Sequence, residues 1–105
     1  MLRRWLARGE GVGVSSIAWA EFLCGPLPVE LAVVARHVVS EPAPFGADHA
    51  ERAAHLFNAS GRRRGTLVDC MVAAVALSHD AALATSNPTD FKRLVPLGLR
   101  LELAG

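Results

Sequence analysis

At 105 residues, the chain is long enough for one hydrophobic core and too short for two, so we expect a single domain over residues 1–105. Hydrophobic residues make up 51% and charged residues 20% of the sequence, which is typical of a globular protein and excludes a disordered one. The formal net charge of +1 excludes a protein drawn to nucleic acid by its total charge, but it leaves room for a local basic patch.

The cysteines and the shortness of the apolar runs predict a cytoplasmic protein. Cys24 and Cys70 lie in apolar contexts without a C-x-x-C partner, so we interpret both as buried thiols in a reducing compartment. The first residues carry arginines with no apolar stretch behind them, unlike a signal peptide. The longest nearly apolar run, residues 73–77, is far below the ~20 residues of a membrane span, so no membrane association is expected.

The N-terminal segment is predicted to be helical. Leu2, Trp5 and Leu6 have the i, i+3, i+4 spacing of one helix face, and Gly9 follows as a stop signal, which gives a helix over residues 2–8. A parallel sheet normally begins with a strand that feeds its first crossover helix. A chain that begins in a helix therefore predicts a fold truncated at its N-terminus.

Strand and helix signals then alternate as far as residue 61. The predicted elements are a strand at residues 12–14, a helix from Ile17 to a stop at Gly25, a helix over residues 28–39 and an amphipathic helix over residues 47–60. Ser15 or Ser16 can accept hydrogen bonds from the free N–H groups at the start of the first helix. The prolines of the segment EPAPFG favour extended backbone, which predicts a break before the third helix.

The C-terminal half contains the most apolar helix. This helix is predicted over residues 66–79, and a short buried strand follows at residues 81–85. Residues 87–94 are interpreted as a turn with one or two helical turns, and the alternating leucines of residues 97–103 as a half-buried strand. Strands separated by helices predict an α/β layer fold with a short, mostly parallel sheet flanked by helices.

Three acidic residues are expected at one edge of this sheet. Glu21, Asp69 and Asp90 each follow a strand or open a helix, and ligands of parallel α/β sheets gather at the carboxyl ends of the strands. Carboxylates that converge repel one another unless a cation neutralises them, and their hard oxygens suit Mg²⁺ or Mn²⁺. Each acid alone also fits an ordinary solvated or helix-start position. The spacing leaves both interpretations open.

Three segments carry a resemblance to a known family. They are VSSIAWAEFLCGP with Glu21, GRRRGTLVDCMVAAVAL with Asp69, and LATSNPTDF with Thr85, Asn87 and Asp90. In this order they resemble the serine-strand and acidic helix, the basic joint followed by D-x-x-I-A-A, and the T-x-N-x-x-D-F ending of PIN-domain ribonucleases. The likeness is to VapC-type toxins of toxin–antitoxin pairs in particular, and it extends from about residue 12 to residue 103.

The resemblance implies a fold, an activity and partners. It implies a PIN-like three-layer fold and an endoribonuclease whose Mg²⁺ or Mn²⁺ ion is held by Glu21, Asp69 and Asp90. Asn87 and Thr85 would position a water or hydrogen-bond a neighbouring acid. The implied partners are an RNA substrate, a cognate antitoxin and a second copy of the chain in a homodimer.

One departure from the family pattern changes the expectation for activity. The family opens with a central strand that ends in a metal-binding aspartate, whereas this chain has no aspartate before Asp48. We therefore expect a domain that lacks its first strand, is marginally stable and prone to association, and is weak or inactive as a nuclease. The alternative to an enzyme is a catalytically impaired remnant that acts through its partner-binding surface alone.

A run of three arginines precedes the most apolar helix. Arg62, Arg63 and Arg64 could bind an RNA backbone, since each bound phosphate adds salt-sensitive affinity. The same run also fits a solvated basic surface near a helix end. Sequence leaves these two interpretations equally open.

Overall fold

Four strands and five helical segments are described by a computed structural model that covers residues 4–8, 11–39 and 41–103. In chain order they are β1 (Arg4–Arg8), β2 (Gly11–Gly13), α1 (Ser16–Cys24), α2 (Val29–Val38), α3 (Ala47–Ala59), α4 (Leu67–Ser78), β3 (Ala82–Thr85), a 3-10 helix (Pro88–Leu97) and β4 (Leu101–Leu103). The predicted helices over residues 28–39, 47–60 and 66–79 are confirmed as α2, α3 and α4.

The strands form one mixed sheet in the order β2-β1-β3-β4. β1 is antiparallel to both of its neighbours, while β3 and β4 are parallel. The α/β class is thus confirmed, but the expectation of a mostly parallel sheet is wrong. The difference arises at β1, for which the residue spacing predicted a helix.

The predicted helix at the N-terminus is a strand over its described part. Leu2 lies outside the described residues, and Arg4 to Arg8 form β1. A helix of so few residues would gain little from its own hydrogen bonds, because the first turn is costly to form. As a strand, the segment pairs with β3 and brings Leu6 into the core.

β1 also supplies a partner for the central strand. The register runs from Arg4 opposite Thr85 to Ala7 opposite Ala82, and β4 pairs with the other side of β3. The side of β3 that faces away from β4 is therefore not an open edge. A strand lies there, and it places an arginine next to the carboxyl end of β3.

The core forms around α4, which is apolar on all sides. Cys70 and residues 72–76 are at most 1% exposed, which is typical of a helix buried on every face. The small alanine side chains in this run allow neighbouring elements to approach closely. The larger buried residues around them come from the other elements: Leu6, Leu56, Leu83, Phe91, Leu94 and Leu99.

The start and end of α1 and the break before α3 follow the sequence signals. Ser15 caps α1, as predicted, by accepting a hydrogen bond from the Ala18 N–H at 3.1 Å, and α1 ends at Gly25. The EPAPFG break is also confirmed: Ala43 donates to the Val14 carbonyl and accepts from the Ser16 N–H. The last strand is shorter than predicted, because the 3-10 helix continues to Leu97.

The helices in the described ranges are all too short or too polar to cross a membrane.

Candidate functional site

The predicted site residues lie on four elements that meet at the carboxyl end of β3. Glu21 lies in α1, and Asp69 lies in the first turn of α4. Thr85 is the last residue of β3, and Asp90 lies in the first turn of the 3-10 helix that follows. The fold therefore brings acidic residues that are far apart in sequence to the same edge of the sheet.

Arg4 joins two of these acids. One guanidinium nitrogen, Nη1, donates to Asp69 Oδ1 at 2.5 Å, and the other, Nη2, donates to Glu21 Oε1. The guanidinium carbon lies 5.7 Å from the centre of the Phe91 ring, within the range of a cation–π contact. Sequence reasoning missed Arg4 because residues 2–8 were predicted to be a helix. Only as a strand paired with β3 does this segment place Arg4 beside the acids.

Asp69 is the most buried of the three acids. Burial raises the pKa of its carboxyl above the usual value, while the charge and the hydrogen bond of Arg4 act to lower this pKa. The negative charge of Asp90 adds to the increase, and the charge of Arg93 opposes it. Asp69 is thus close enough to Asp90 to be affected by its charge, while Arg4 lies between Asp69 and Glu21.

A second arginine lies next to Asp69 without a direct hydrogen bond. Arg93 Nη2 is 4.0 Å from Asp69 Oδ2. The Nε and Nη2 atoms of Arg93 are buried, and neither has a hydrogen-bond partner among the described residues. Because buried donors normally have partners, Arg93 has unused capacity to bind an anion or a carboxylate on this side of the site.

Asn87 holds Asp90 in position. Its side-chain amide donates to Asp90 Oδ2 at 2.9 Å, which is one of the two roles predicted for Asn87 and Thr85. Thr85 is buried, and its hydroxyl oxygen accepts the backbone N–H of Asn87 at 3.1 Å. Thr85 is therefore connected to Asp90 through Asn87.

The arrangement does not fit a divalent cation while Arg4 is in place. Within residues 4–8, 11–39 and 41–103, no three His, Cys, Asp or Glu side chains converge closely enough to hold a metal ion. The donor chemistry is suitable, since carboxylate oxygens are the ligands that Mg²⁺ and Mn²⁺ prefer. The position between Glu21 and Asp69, however, is occupied by the guanidinium of Arg4.

The arginine run forms the exposed connection between α3 and α4. Arg62, Arg63 and Arg64 are all exposed, and they lie only a few residues before Asp69 in the first turn of α4. Arg62 adopts a left-handed backbone conformation with φ 55° and donates from Nε to Asn58 Oδ1 at 3.0 Å. The run therefore lies at the same end of α4 as the acids.

The two cysteines differ in exposure. Cys70 is fully buried in α4, and burial raises the pKa of its thiol. Cys24 is exposed near the end of α1, so the prediction that both thiols are buried is wrong for Cys24. Cys24 is exposed because it lies in the last turn of α1, whose buried residue is Ala18 near the start of the helix.

Comparison with known proteins gives one family. The model of the PIN domain family matches residues 1–95, and no curated protein matches the chain. The match covers most of the sequence and includes all the acids discussed above together with Arg4. PIN domains are generally metal-dependent nucleases. On the extent of this match, the chain belongs to the PIN domain family.

Proposed function

We propose that the chain is an endoribonuclease that cleaves RNA phosphodiesters with a carboxylate-held Mg²⁺ or Mn²⁺ ion, and that it is the toxin of a toxin–antitoxin pair. One observation carries the nuclease part of this proposal, and the toxin role rests on the resemblance of the three sequence segments. Glu21 and Asp69, from two separate helices, bind the same guanidinium at the carboxyl end of β3. Both carboxylates are thus within reach of one cation, and they would have to move closer together to share the smaller Mg²⁺ or Mn²⁺ ion after the guanidinium leaves.

Each predicted residue has a role in this proposal. Glu21, Asp69 and Asp90 would supply the oxygen ligands after Arg4 has left, and Asn87 would keep Asp90 turned toward the site through its 2.9 Å hydrogen bond. When bound, the ion would lower the pKa of a water and offset charge on the phosphodiester. Thr85 would fix the turn from which Asn87 and Asp90 project.

The exposed arginines support an RNA substrate. Arg62, Arg63 and Arg64 lie on the connection that leads directly to the Asp69 end of α4. Phosphates bound there would place the RNA backbone beside the acids, which would otherwise repel it. The proposal therefore gives the arginine run the substrate-binding role and the acids the catalytic role.

An exposed apolar helix supports a protein partner. α2 contributes no buried residue, and its exposed side chains include Val29, Leu31, Val33, Val34 and Val38. An apolar surface of this kind typically marks a protein interaction site. We assign it to the antitoxin or to a second copy of the chain.

The nuclease proposal is tested by RNA cleavage with matched carboxylate variants. A labelled single-stranded RNA is incubated with the chain and Mn²⁺, with Mg²⁺, or with a chelator. We expect only weak cleavage by the native chain, because Arg4 occupies the position between Glu21 and Asp69, and this cleavage should require the metal and be lost in Asp69→Asn. The control Asp80→Asn removes an exposed carboxylate that also pairs with an arginine, at the opposite end of α4, and should keep the activity.

The alternative function predicts a different result. A remnant that acts through its partner-binding surface alone would cleave no RNA with any metal, even in variants that lack the Arg4 guanidinium. Cleavage that persists in the chelator would show that the reaction needs no metal ion. Cleavage that persists in Asp69→Asn would show that Asp69 is not required for the reaction.

A further inference from the structure

The N-terminal strand places a positive charge where the proposed function needs a metal ion. Arg4 binds Glu21 and Asp69 through its two terminal nitrogens, so both acids already have a cation. We propose that Arg4 is a built-in inhibitor of the site, and that its guanidinium must withdraw before a divalent cation can bind. This inference rests on the proposed function, because it assumes that these carboxylates are metal ligands.

Arg4 contacts two carboxylates at once, of which Asp69 is partly buried and Glu21 is exposed. A guanidinium presents its N–H donors as a rigid fork, which here spans two carboxylates from different helices. The Arg4 side chain is 16% exposed and that of Asp69 is 18% exposed, so solvent screens this pair only in part. The Arg4 charge therefore offsets the mutual repulsion of the two acids.

The position of Arg4 follows from the register of the sheet. Arg4 lies opposite Thr85 at the carboxyl end of β3, and Leu6 on the same face of β1 is buried in the core. The Phe91 ring, which is fully buried, lies beside the guanidinium. Because these contacts fix the strand, the base of the Arg4 side chain remains beside the acids as long as β1 is paired.

Arg4 and a divalent ion exclude one another. An Mg²⁺ ion requires carboxylate oxygens at about 2.0–2.1 Å in near-octahedral geometry. Asp69 Oδ1 and Glu21 Oε1 point at the arginine nitrogens instead. A cation placed between the same two oxygens would also be repelled by the guanidinium charge. Binding of the ion therefore requires the side chain of Arg4 to move away.

Arg93 makes this withdrawal feasible. Its Nη2 lies 4.0 Å from Asp69 Oδ2 and has no hydrogen-bond partner in the described part of the chain. When Arg4 leaves, Asp69 thus keeps a cationic neighbour next to its second carboxylate oxygen. The departure of the Arg4 guanidinium does not require β1 to unpair, because the flexible stem of an arginine can turn its head toward solvent.

The test compares Mn²⁺ binding by the native chain with binding by Arg4→Met, which keeps a long apolar side chain and loses the charge. Isothermal titration with Mn²⁺ should show at least about tenfold tighter binding by Arg4→Met, equivalent to about 1.4 kcal/mol. The rise in Tm caused by Mn²⁺ should also be larger in this variant. The control Arg100→Met removes an arginine that pairs with Asp80 at an exposed position and should bind Mn²⁺ like the native chain.

Several results would overturn the inference. Equal Mn²⁺ affinity of the native chain and Arg4→Met would do so, and so would the absence of Mn²⁺ binding in both. If Arg4→Met does not fold, Arg4→Lys gives the same comparison, because a lysine cannot bridge two carboxylates as a fork and should show a smaller gain. Equal affinities there would count equally against the inference.

RNA cleavage separates this inference from the proposed function. Tighter Mn²⁺ binding by Arg4→Met without any cleavage would reject the nuclease and keep the competition between Arg4 and the ion. Metal-dependent cleavage with the same Mn²⁺ affinity in both proteins would keep the nuclease and reject the inhibitor.

Discussion

At the scale of single residues, local sequence patterns identified the acids as candidates. Arg4 was missed because it contacts them only through the tertiary structure. Asp69 and Asp90 follow from the sequence because each stands beside a helix start after a recognisable strand or joint. Arg4 is 65 residues from Asp69 along the chain. Its role depends on the antiparallel register of β1 against β3, which no local pattern in the sequence encodes.

The raised pKa of Asp69 leads to a prediction about pH. A carboxyl whose pKa is higher in the folded than in the unfolded chain binds its proton more tightly when folded. Its contribution to stability is therefore complete below the unfolded value of 3.8 and is lost as pH rises through the folded value. Asn at this position has no proton to lose, so the stability of Asp69→Asn relative to the native chain should increase over that pH range.

This prediction is checked by urea unfolding of both proteins at a series of pH values from acid to neutral. Asp80→Asn is the control for the removal of a carboxylate at an exposed position. If the relative stability of Asp69→Asn instead falls as pH rises, Arg4 outweighs burial at Asp69 and the site is more strongly neutralised than we infer.

At the scale of elements, periodicity predicted the long helices well and the shortest elements poorly. α3 and α4 have enough residues for their apolar faces to determine their structure, and Ser15 caps α1 as its sequence position indicates. β1 has five residues, and Trp5 and Leu6 fit a helix face and a strand equally well over so short a span. Pairing with β3 decided its structure, and this pairing is a tertiary effect.

The connection between α3 and α4 carries a prediction about RNA. If Arg62, Arg63 and Arg64 bind phosphates, their replacement by Ala should weaken RNA binding at low salt and reduce its salt dependence. The slope of log affinity against log salt should fall by about 0.7 for each phosphate of a single strand that the arginines no longer bind. The folded structure should be unaffected, since all three side chains are exposed.

The measurement is fluorescence anisotropy of a labelled RNA with Asp69→Asn as the background, so that cleavage does not interfere. A control triple variant, with Ala at the exposed residues Arg36, Arg52 and Arg100, removes the same charge elsewhere on the surface. If the slope of log affinity against log salt is the same for the two triple variants, the arginine run does not bind phosphates and is only a solvated basic surface.

At the scale of the whole molecule, the apolar residues are divided unequally between two helices. α4 is buried on all sides, whereas α2 is also rich in apolar residues and buries none of them. The sequence predicted both as helices but gave no indication of which one the core would enclose. That outcome depends on how the sheet, α3 and the 3-10 helix pack around α4, and α2 is left with its valines in solvent.

The exposed face of α2 predicts self-association. Val34 and Val38 are one helical turn apart and 57% and 79% exposed, so they lie on the same side of α2. Burial of a valine side chain in an interface contributes about 1.5 kcal/mol or more, so replacing both by Glu should weaken association by well over tenfold. Light scattering after size-exclusion chromatography should show the native chain above its monomer mass of 11.1 kDa and the double variant at that mass.

Arg36→Glu is the matched control, because it changes the net charge by the same amount on the opposite side of α2 and should leave association intact. The fold should survive in each variant, since the structure buries no residue of this helix. A native chain that stays monomeric at high concentration would rule out the homodimer, and the apolar face of α2 would then belong to a different protein partner.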